Sequence, residues 1–504
     1  MHDLIEVTPL RWVLHTRHRW LAAGFALLVL AALAVSGGWL IVEAGVIPML
    51  ALALAAGYAL WSLTDIEIAF WAVIGLVTLL PFGTLPFSVG FTPTFLDLAL
   101  GWLFFLWLAP LVLGEDREAL VLTPLGGPIL VFLLMAIGSF VAGLSHAPVT
   151  SYLIRHFAEI LMSIGLFFLI VNTVTDVGRL RRLTRVFLLA AGGAALLGIA
   201  LYVIPAELAM RALSALGRVG YPTGAGVIRY IRDDPSLMQR ATSTSVDPNI
   251  LGSLLNLALA IAIPQLFAER PVIKRIFLLL LIGVMGICLV LTVSRGSWVG
   301  VAAAVGLMSV LRYRKLLPLI IVVLVLVLVL PWTQEYVAHF LEGIQGEDLS
   351  TKMRFGEYKD AFILIGRHPV LGVGFGGTPD IDTYLGVASV YLLIASQMGL
   401  VGLTGFLVIV GLLLIRFWLR RDRAAEHADL EPLWYGYHGA VIGGLVGGIF
   451  DHYFFNLDFH HSVTIFWMML ALAAVTTRLL DRRQRASAWS SRPFSGLDGT
   501  RTPS

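Results

Sequence analysis

The sequence predicts an all-α, polytopic integral membrane helix bundle of about 12–14 transmembrane helices, with a large outer loop containing an amphipathic helix. Three observations predict it. Hydrophobic residues fill 58% of the 504 positions and charged residues only 13%, against about 25% charged in a soluble domain. Apolar runs of membrane-crossing length recur from end to end. The single cysteine, Cys288, lies in one of those runs and cannot form an internal disulfide. These features exclude a soluble enzyme, a disordered scaffold and a disulfide-stapled secreted domain. Channels, transporters and membrane transferases share them.

A hydrocarbon core about 30 Å thick needs roughly 20 apolar residues per helix. Runs of this kind lie near 20–37, 44–63, 66–82, 94–113, 128–145, 153–172, 184–204, 249–268, 276–293, 297–311, 316–332, 387–415, 434–450 and 462–478. The third, tenth and thirteenth are the shortest. The first is long and lacks a small-residue cleavage pattern, so no cleavable signal peptide is expected. The chain thus divides into N-terminal transmembrane helices (1–204), an outer loop (205–248), further transmembrane helices (249–332), a large outer loop (333–386), C-terminal transmembrane helices (387–480) and a disordered cytoplasmic tail (481–504).

The net charge of +3 is set by 35 basic residues, of which only Lys274, Lys315, Lys352 and Lys359 are lysines. Placing Arg11, Arg17 and Arg19 inside and alternating sides puts about 24 of the 35 on the inner side, as the positive-inside bias requires. The expected location is therefore the cytoplasmic (inner) membrane with both termini cytoplasmic. The basic balance orients helices and is not a nucleic-acid footprint. Arg155, Arg211, Arg218, Arg229, Arg232, Arg240, Arg295, Lys352, Arg354, Lys359 and Arg367 fall on the outer side, against that bias. Something other than topology must hold them there.

Four constellations fall on that outer side. Arg240 precedes Asp247-Pro248-Asn249 at a span entrance. Aspartate followed by proline caps a helix well, but a cap does not require the arginine. Arg295, in Thr292-Val-Ser294-Arg-Gly296-Ser297, sits between two apolar runs. It reads either as a snorkelling interfacial residue or as a guanidinium fork for a phosphate oxyanion, with Ser294 and Ser297 as further donors. In the large loop, Phe355, Tyr358, Phe362 and Ile365 recur at three or four, which predicts an amphipathic helix on the membrane surface or capping the bundle. That helix ends at Arg367-His368-Pro369, followed by Gly372, Gly374, Gly376 and Gly377. No strand precedes these glycines and no P-loop lysine accompanies them, so they read as a loop that passes close to substrate. Finally Asp451-His452-Tyr453-Phe454-Phe455 and His460-His461 separate the last two spans. Their spacing does not match a compact zinc pattern, and an acid/base or sugar-binding rim is the expectation. An outward cavity lined by arginines, aromatics and carboxylates suits an anionic, lipid-linked substrate.

At these residues the sequence resembles the O-antigen ligase and polymerase superfamily of bacterial envelopes, over roughly residues 240–480. The resemblance rests on Arg240 with Asp-Pro-Asn-Ile-Leu-Gly, on Leu-Thr-Val-Ser-Arg295-Gly, on Ser350-Thr-Lys-Met-Arg354 followed by the His368-Pro and glycine element, and on Tyr391-Leu-Leu-Ile-Ala-Ser-Gln-Met-Gly399. It implies a metal-independent glycosyltransferase without cofactor, acting on an undecaprenyl-diphosphate-linked oligosaccharide and passing it to a glycan or lipid acceptor. Membrane lipids and a chain-length regulator protein are the implied partners. Arg240, Arg295, His368 and Asp382 are the implied catalytic residues. Arg354, Arg367, Ser294, Asp451 and His452 are the implied substrate contacts. The family's ligases carry a His-Asn pair where this chain has Ala388 and Ser389, neither a strong base. That departure points towards a polymerase-type or divergent transferase, and Asp382, Glu357, His368 and Asp451 remain candidate bases. The alternative is a lipid-linked glycan flippase or other transporter. Transporters carry ionisable groups at the bilayer midplane, whereas the spans here are nearly free of buried charge, with Asp97 and Glu159 as the intramembrane exceptions.

Overall fold

The structure is a computed structural model describing residues 46–85, 90–113, 120–345, 349–378, 382–383 and 386–490. The span expected at 20–37, together with Arg11, Arg17, Arg19 and Arg117, lies outside them. The chain falls into two compact units, Met1–Ile68 and Ala69–Ser504. The first contributes α1 (Val46–Ser62), and α2 (Ile66–Leu79) begins at its end.

In the second unit, α3 (Phe95–Leu113), α4 (Gly126–Gly143), α5 (Ser151–Thr173) and α6 (Val177–Val203) follow in turn. A short α7 (Ala206–Ser214) leads into a hairpin of β1 (Arg229–Tyr230) and β2 (Gln239–Arg240), antiparallel with Arg229 opposite Arg240. Next come α8 (Pro248–Gln265), α9 (Arg275–Leu291), α10 (Arg295–Leu311) and α11 (Leu316–Val329). The large loop holds α12 (Gln334–Gln345) and α13 (Leu349–Arg367). The chain returns through α14 (Val390–Ala424), α15 (Glu431–Gly447) and α16 (His460–Ser490). Among the described residues seven helices are long and apolar enough to cross a membrane, and four shorter ones are also apolar. The molecule is an all-α, multi-pass membrane protein.

Burial sorts the helices. α8 and α16 are enclosed along almost their whole apolar length. α11 is the opposite: Leu319 and every residue from Ile321 to Val329 are exposed hydrophobics, the signature of a helix whose backbone is satisfied internally and whose side chains meet lipid. α8 and α10 both pack on α15. The seam is built of small residues: a Cβ on Gly443 would meet Asn256 Oδ1 at 2.6 Å, and one on Gly300 would meet the Gly443 carbonyl at 2.6 Å. Small residues let membrane helices approach closely where no hydrophobic drive exists between them.

One end of the bundle carries the long connections and is called the cleft end here. At the opposite end Arg185 donates to the Val272 carbonyl at 2.7 Å, Arg416 and Arg420 pair with Asp481 at 2.9 and 2.7 Å, and Arg483 pairs with Asp429. The orienting arginines therefore also cap helix ends and cross-link connections. Asp481 and Arg483 lie on α16, which continues to Ser490, past the residue-480 boundary where a disordered tail is expected. The Asp-Arg-Arg-Gln-Arg-Ala run consists largely of good helix formers, and these pairs fasten it.

The amphipathic helix is present as α13, and its apolar residues divide between two surfaces. Ala361 and Leu364 are buried, whereas Phe355 and Phe362 are 58% and 63% exposed. α13 packs against α14; Tyr358 turns in to the Ala388 carbonyl, while Phe355 and Phe362 stay exposed.

Candidate active site

The turn joining α9 to α10 is the centre of the site. Val293 has φ +53°, a left-handed conformation that costs a β-branched residue on the order of 1–3 kcal/mol. The turn is held from several directions. Thr292 Oγ1 donates to the Leu289 carbonyl at 2.7 Å, and the Trp298 indole donates to the same oxygen at 3.0 Å. The Ala241 N–H donates to the Leu291 carbonyl at 2.8 Å. Arg240 reaches across from β2: its Nε donates to the Thr292 carbonyl at 2.9 Å, and Nη2 donates to Asn249 Oδ1 at 2.6 Å. Arg240 thus ties the hairpin, the entrance of α8 and the strained turn together. Burial depresses its pKa. Asp247 caps α8, accepting from the Asn249 N–H at 2.7 Å with Pro248 in the first turn, as its sequence predicts.

Arg295, the first residue of α10, faces a cleft of about 350 Å³. The hairpin contributes Arg232, Asp233 and Arg240 to its walls, α13 contributes Arg354 and Glu357, and the α15–α16 connection contributes Asp451, His452 and Tyr453. Arg232 and Asp233 also sit at positive φ, +57° and +54°, so backbone strain gathers around this opening. Ser294 lines the cleft, and its hydroxyl lies 3.0 Å from that of Ser297.

The carboxyls of the cleft are unusual. Burial is the main cause that raises Asp451 to about 7; Arg354 opposes it, Asp247 adds to it, and the His452 N–H and Arg240 oppose it further. Burial likewise lowers His452 to about 4, so its imidazole is neutral at pH 7. Tyr453 is pushed well above the usual phenol range by burial and by Asp451 and Asp247. Glu357 is raised by burial, and its Oε2 accepts the Ala388 N–H at 3.0 Å. Tyr358 donates to the Ala388 carbonyl at 3.2 Å. Ala388, lacking any polar side chain, is therefore bracketed by two polar groups of α13.

A second, apolar groove of about 320 Å³ adjoins the cleft and shares Arg295, Gly296 and Arg354 with it. Val299, Phe340, Phe355, Tyr358 and Phe450 complete its walls. The arginines stand where a polar cleft meets an apolar one.

The structure thus brings together Arg240, Ser294, Arg295, Arg354, Asp451 and His452. It places the other sequence candidates elsewhere. Arg367 pairs with Asp382 at 3.0 Å on the exterior, and that guanidinium holds Asp382 below the usual carboxylate range. Neither residue lines the cleft, nor does His368. The glycine run after Pro369 does not line it either. It threads into a break in α14, where the Val373 and Gly374 N–H groups donate to the Ser396 and Gln397 carbonyls, each at 2.9 Å. Gly399 makes the break at φ +68°, and a Cβ there would lie 2.1 Å from the Val370 carbonyl. A Cβ on Gly374 would meet Gly143 Cα at 2.7 Å. These glycines let backbone approach backbone. Sequence reading missed Arg232 and Asp233 as lining residues, and the double approach of α13 to Ala388. Arg232 could have been found, since it is one of the arginines stranded against the orientation bias.

Fold and site together define a multi-pass membrane protein with an arginine-lined cleft opening on an apolar groove. Residues 278–407, from α9 into α14, match the model of the O-antigen ligase family. The match spans roughly a quarter of the chain, and over that stretch the chain is similar to the O-antigen ligase family. It takes in Arg295, Arg354 and Glu357 and leaves Arg240 and Asp451 outside. No curated protein matches the chain.

Proposed function

We propose that the protein is an envelope glycan polymerase or divergent ligase that transfers an undecaprenyl-diphosphate-linked glycan at the outer face of the cytoplasmic membrane. One observation carries the reading: Arg295 and Arg354 line both the polar cleft and the apolar groove. An amphiphile whose diphosphate joins a long isoprenoid to a sugar needs that junction. Its tail would lie against Val299, Phe340, Phe355 and Phe450, the diphosphate between the arginines, and the sugar in the cleft.

The chemistry follows from the groups present. An acceptor hydroxyl attacks the anomeric carbon, its proton passes to the Asp451 carboxylate, and the bond from anomeric carbon to phosphate oxygen breaks. Charge then grows on the departing diphosphate, where preorganised guanidinium groups act most strongly. A base with a pKa near the working pH is the effective one, which favours Asp451. Arg240 acts by holding the Arg295 turn. Arg367, His368 and Asp382, away from the cleft, support the loop.

The test is glycan transfer by purified protein given a polyprenyl-diphosphate oligosaccharide. Arg295→Ala should cut kcat by roughly 100-fold or more, as loss of a transition-state charge contact does, with the fold intact by circular dichroism. Wild-type product from this variant would overturn the proposal. Movement of intact donor across vesicles without transfer would support the flippase reading instead.

A further inference from the structure

The carboxylates of Asp97 and Glu159 stand inside spans, and the cleft uses neither. Asp97 lies in the first turn of α3 and Glu159 in the second turn or beyond of α5. His460 opens α16 beside them. One ligating atom from each of the three lies within 4.8 Å of the other two. Glu159 is 1% exposed and the His460 side chain 5%.

The hydrogen bonds around the cluster are one-sided. Arg155 Nε donates to Glu159 Oε1 at 2.8 Å, and its Nη1 donates to the Thr92 carbonyl at 2.7 Å. Asp97 Oδ2 accepts the Thr94 N–H at 2.7 Å. These contacts engage one oxygen of each carboxylate. Of the other atoms facing the gap, Asp97 Oδ1 and His460 Nε2 are buried without a hydrogen-bond partner, and Glu159 Oε2 is buried beside two imidazoles. Oε2 lies 2.8 Å from His156 Nδ1 and 3.4 Å from His460 Nδ1. Asp97 Oδ1 and His460 Nε2 face each other across 3.9 Å. That gap is too long for a hydrogen bond. Two atoms each about 2.0–2.2 Å from a shared divalent ion can span it only at an angle wider than tetrahedral.

We propose that Asp97, Glu159 and His460 form a binding site for a divalent transition-metal ion of the zinc type, apart from the glycan cleft. Imidazole with carboxylates is a donor set for such ions. Three protein ligands leave a fourth position for water. Arg155 offsets one of the two carboxylate charges and fixes the turn of both groups, as outer partners of metal ligands do. A divalent ion carrying one hydroxide brings the remaining sum to zero. The ion would pin α3, α5 and α16 at the point where α16 leaves the 448–459 connection. A Tyr152 hydroxyl bond to Asp458 fastens the same connection, which carries Asp451 into the cleft.

The experiment uses the full chain in detergent, stripped with chelator and titrated with Zn²⁺ by calorimetry, with retained metal counted after desalting. About one equivalent should be retained and the thermal midpoint should rise, since binding free energy adds to the folded state. Asp97→Asn and His460→Ala should each weaken binding at least tenfold, whereas His460→Cys, which keeps a zinc ligand, should retain it. His368→Ala, outside the cluster, should bind as wild type. Retention below a tenth of an equivalent, equal binding by His460→Ala, or tighter binding of Mg²⁺ than of Zn²⁺ would overturn the proposal.

Discussion

Replacing Asp451 with asparagine should raise stability and remove activity, each with a set pH dependence. In the folded protein burial lifts the carboxyl from 3.8 to about 7. Each pKa unit corresponds to about 1.36 kcal/mol, so keeping Asp451 ionised above pH 7 costs the fold about 4 kcal/mol at most. The side chain is 18% exposed, and water in the cleft reduces the effect to about 2–4 kcal/mol. The sign follows from proton binding. Between about pH 4 and pH 7 the folded state holds a proton that the unfolded state has released, so stability falls as pH rises. Asparagine abolishes that penalty. Thermal unfolding in detergent should show Asp451→Asn above wild type at pH 8, with the difference shrinking to nothing near pH 4. Glycan transfer by wild type should rise through a midpoint near pH 7, with about one-tenth of the full rate at pH 6 for a base of that pKa. The variant should lose about 100-fold or more in kcat, the usual contribution of a general base. A variant no more stable than wild type at pH 8, a gap that ignores pH, or a variant that still transfers glycan would refute the reasoning.

Arg240→Lys should fail to restore what Arg240→Ala loses. An ammonium cannot span the Thr292 carbonyl and Asn249 as the fork does, and both variants should lower the unfolding midpoint by an amount equivalent to about 1–3 kcal/mol. Gly399→Ala should destabilise by at least about 2–4 kcal/mol, because a side chain must enter positive φ and meet the Val370 carbonyl. Thermal melting of the purified variant checks it. Val299→Asp or Phe340→Asp in the apolar groove should raise KM for a long-chain donor while leaving a short-prenyl analogue nearly unaffected. Equal change with both donors would place the tail elsewhere.

Most of the architecture was legible because hydrocarbon is an unforgiving solvent. It forces apolar runs of one length and a helical backbone, and thirteen of the fourteen expected runs correspond to helices α1–α6, α8–α11 and α14–α16; the other lies outside the described residues. The arginine positions were legible for a related reason, since charge against the orientation bias is costly without a purpose. The cap at Asp247 is a local property and follows from three adjacent residues.

What the chain order could not reveal is which distant groups meet. The His368 and glycine element reads as a substrate loop in one dimension. In three it is a wedge filling the break at Gly399, because close backbone contact and close ligand contact demand the same residue type. The stripe Phe355, Tyr358, Phe362 and Ile365 has the right period but does not say whether bundle or lipid receives it, and near a membrane both accept aromatics. Asp451, Asp382, Glu357 and His368 are equivalent as candidate bases until burial separates them. Sequence determined the helices and the kinds of charge available. Tertiary structure decided which charges share a low-dielectric cleft, because a pKa depends on neighbours contributed by residues hundreds of positions apart.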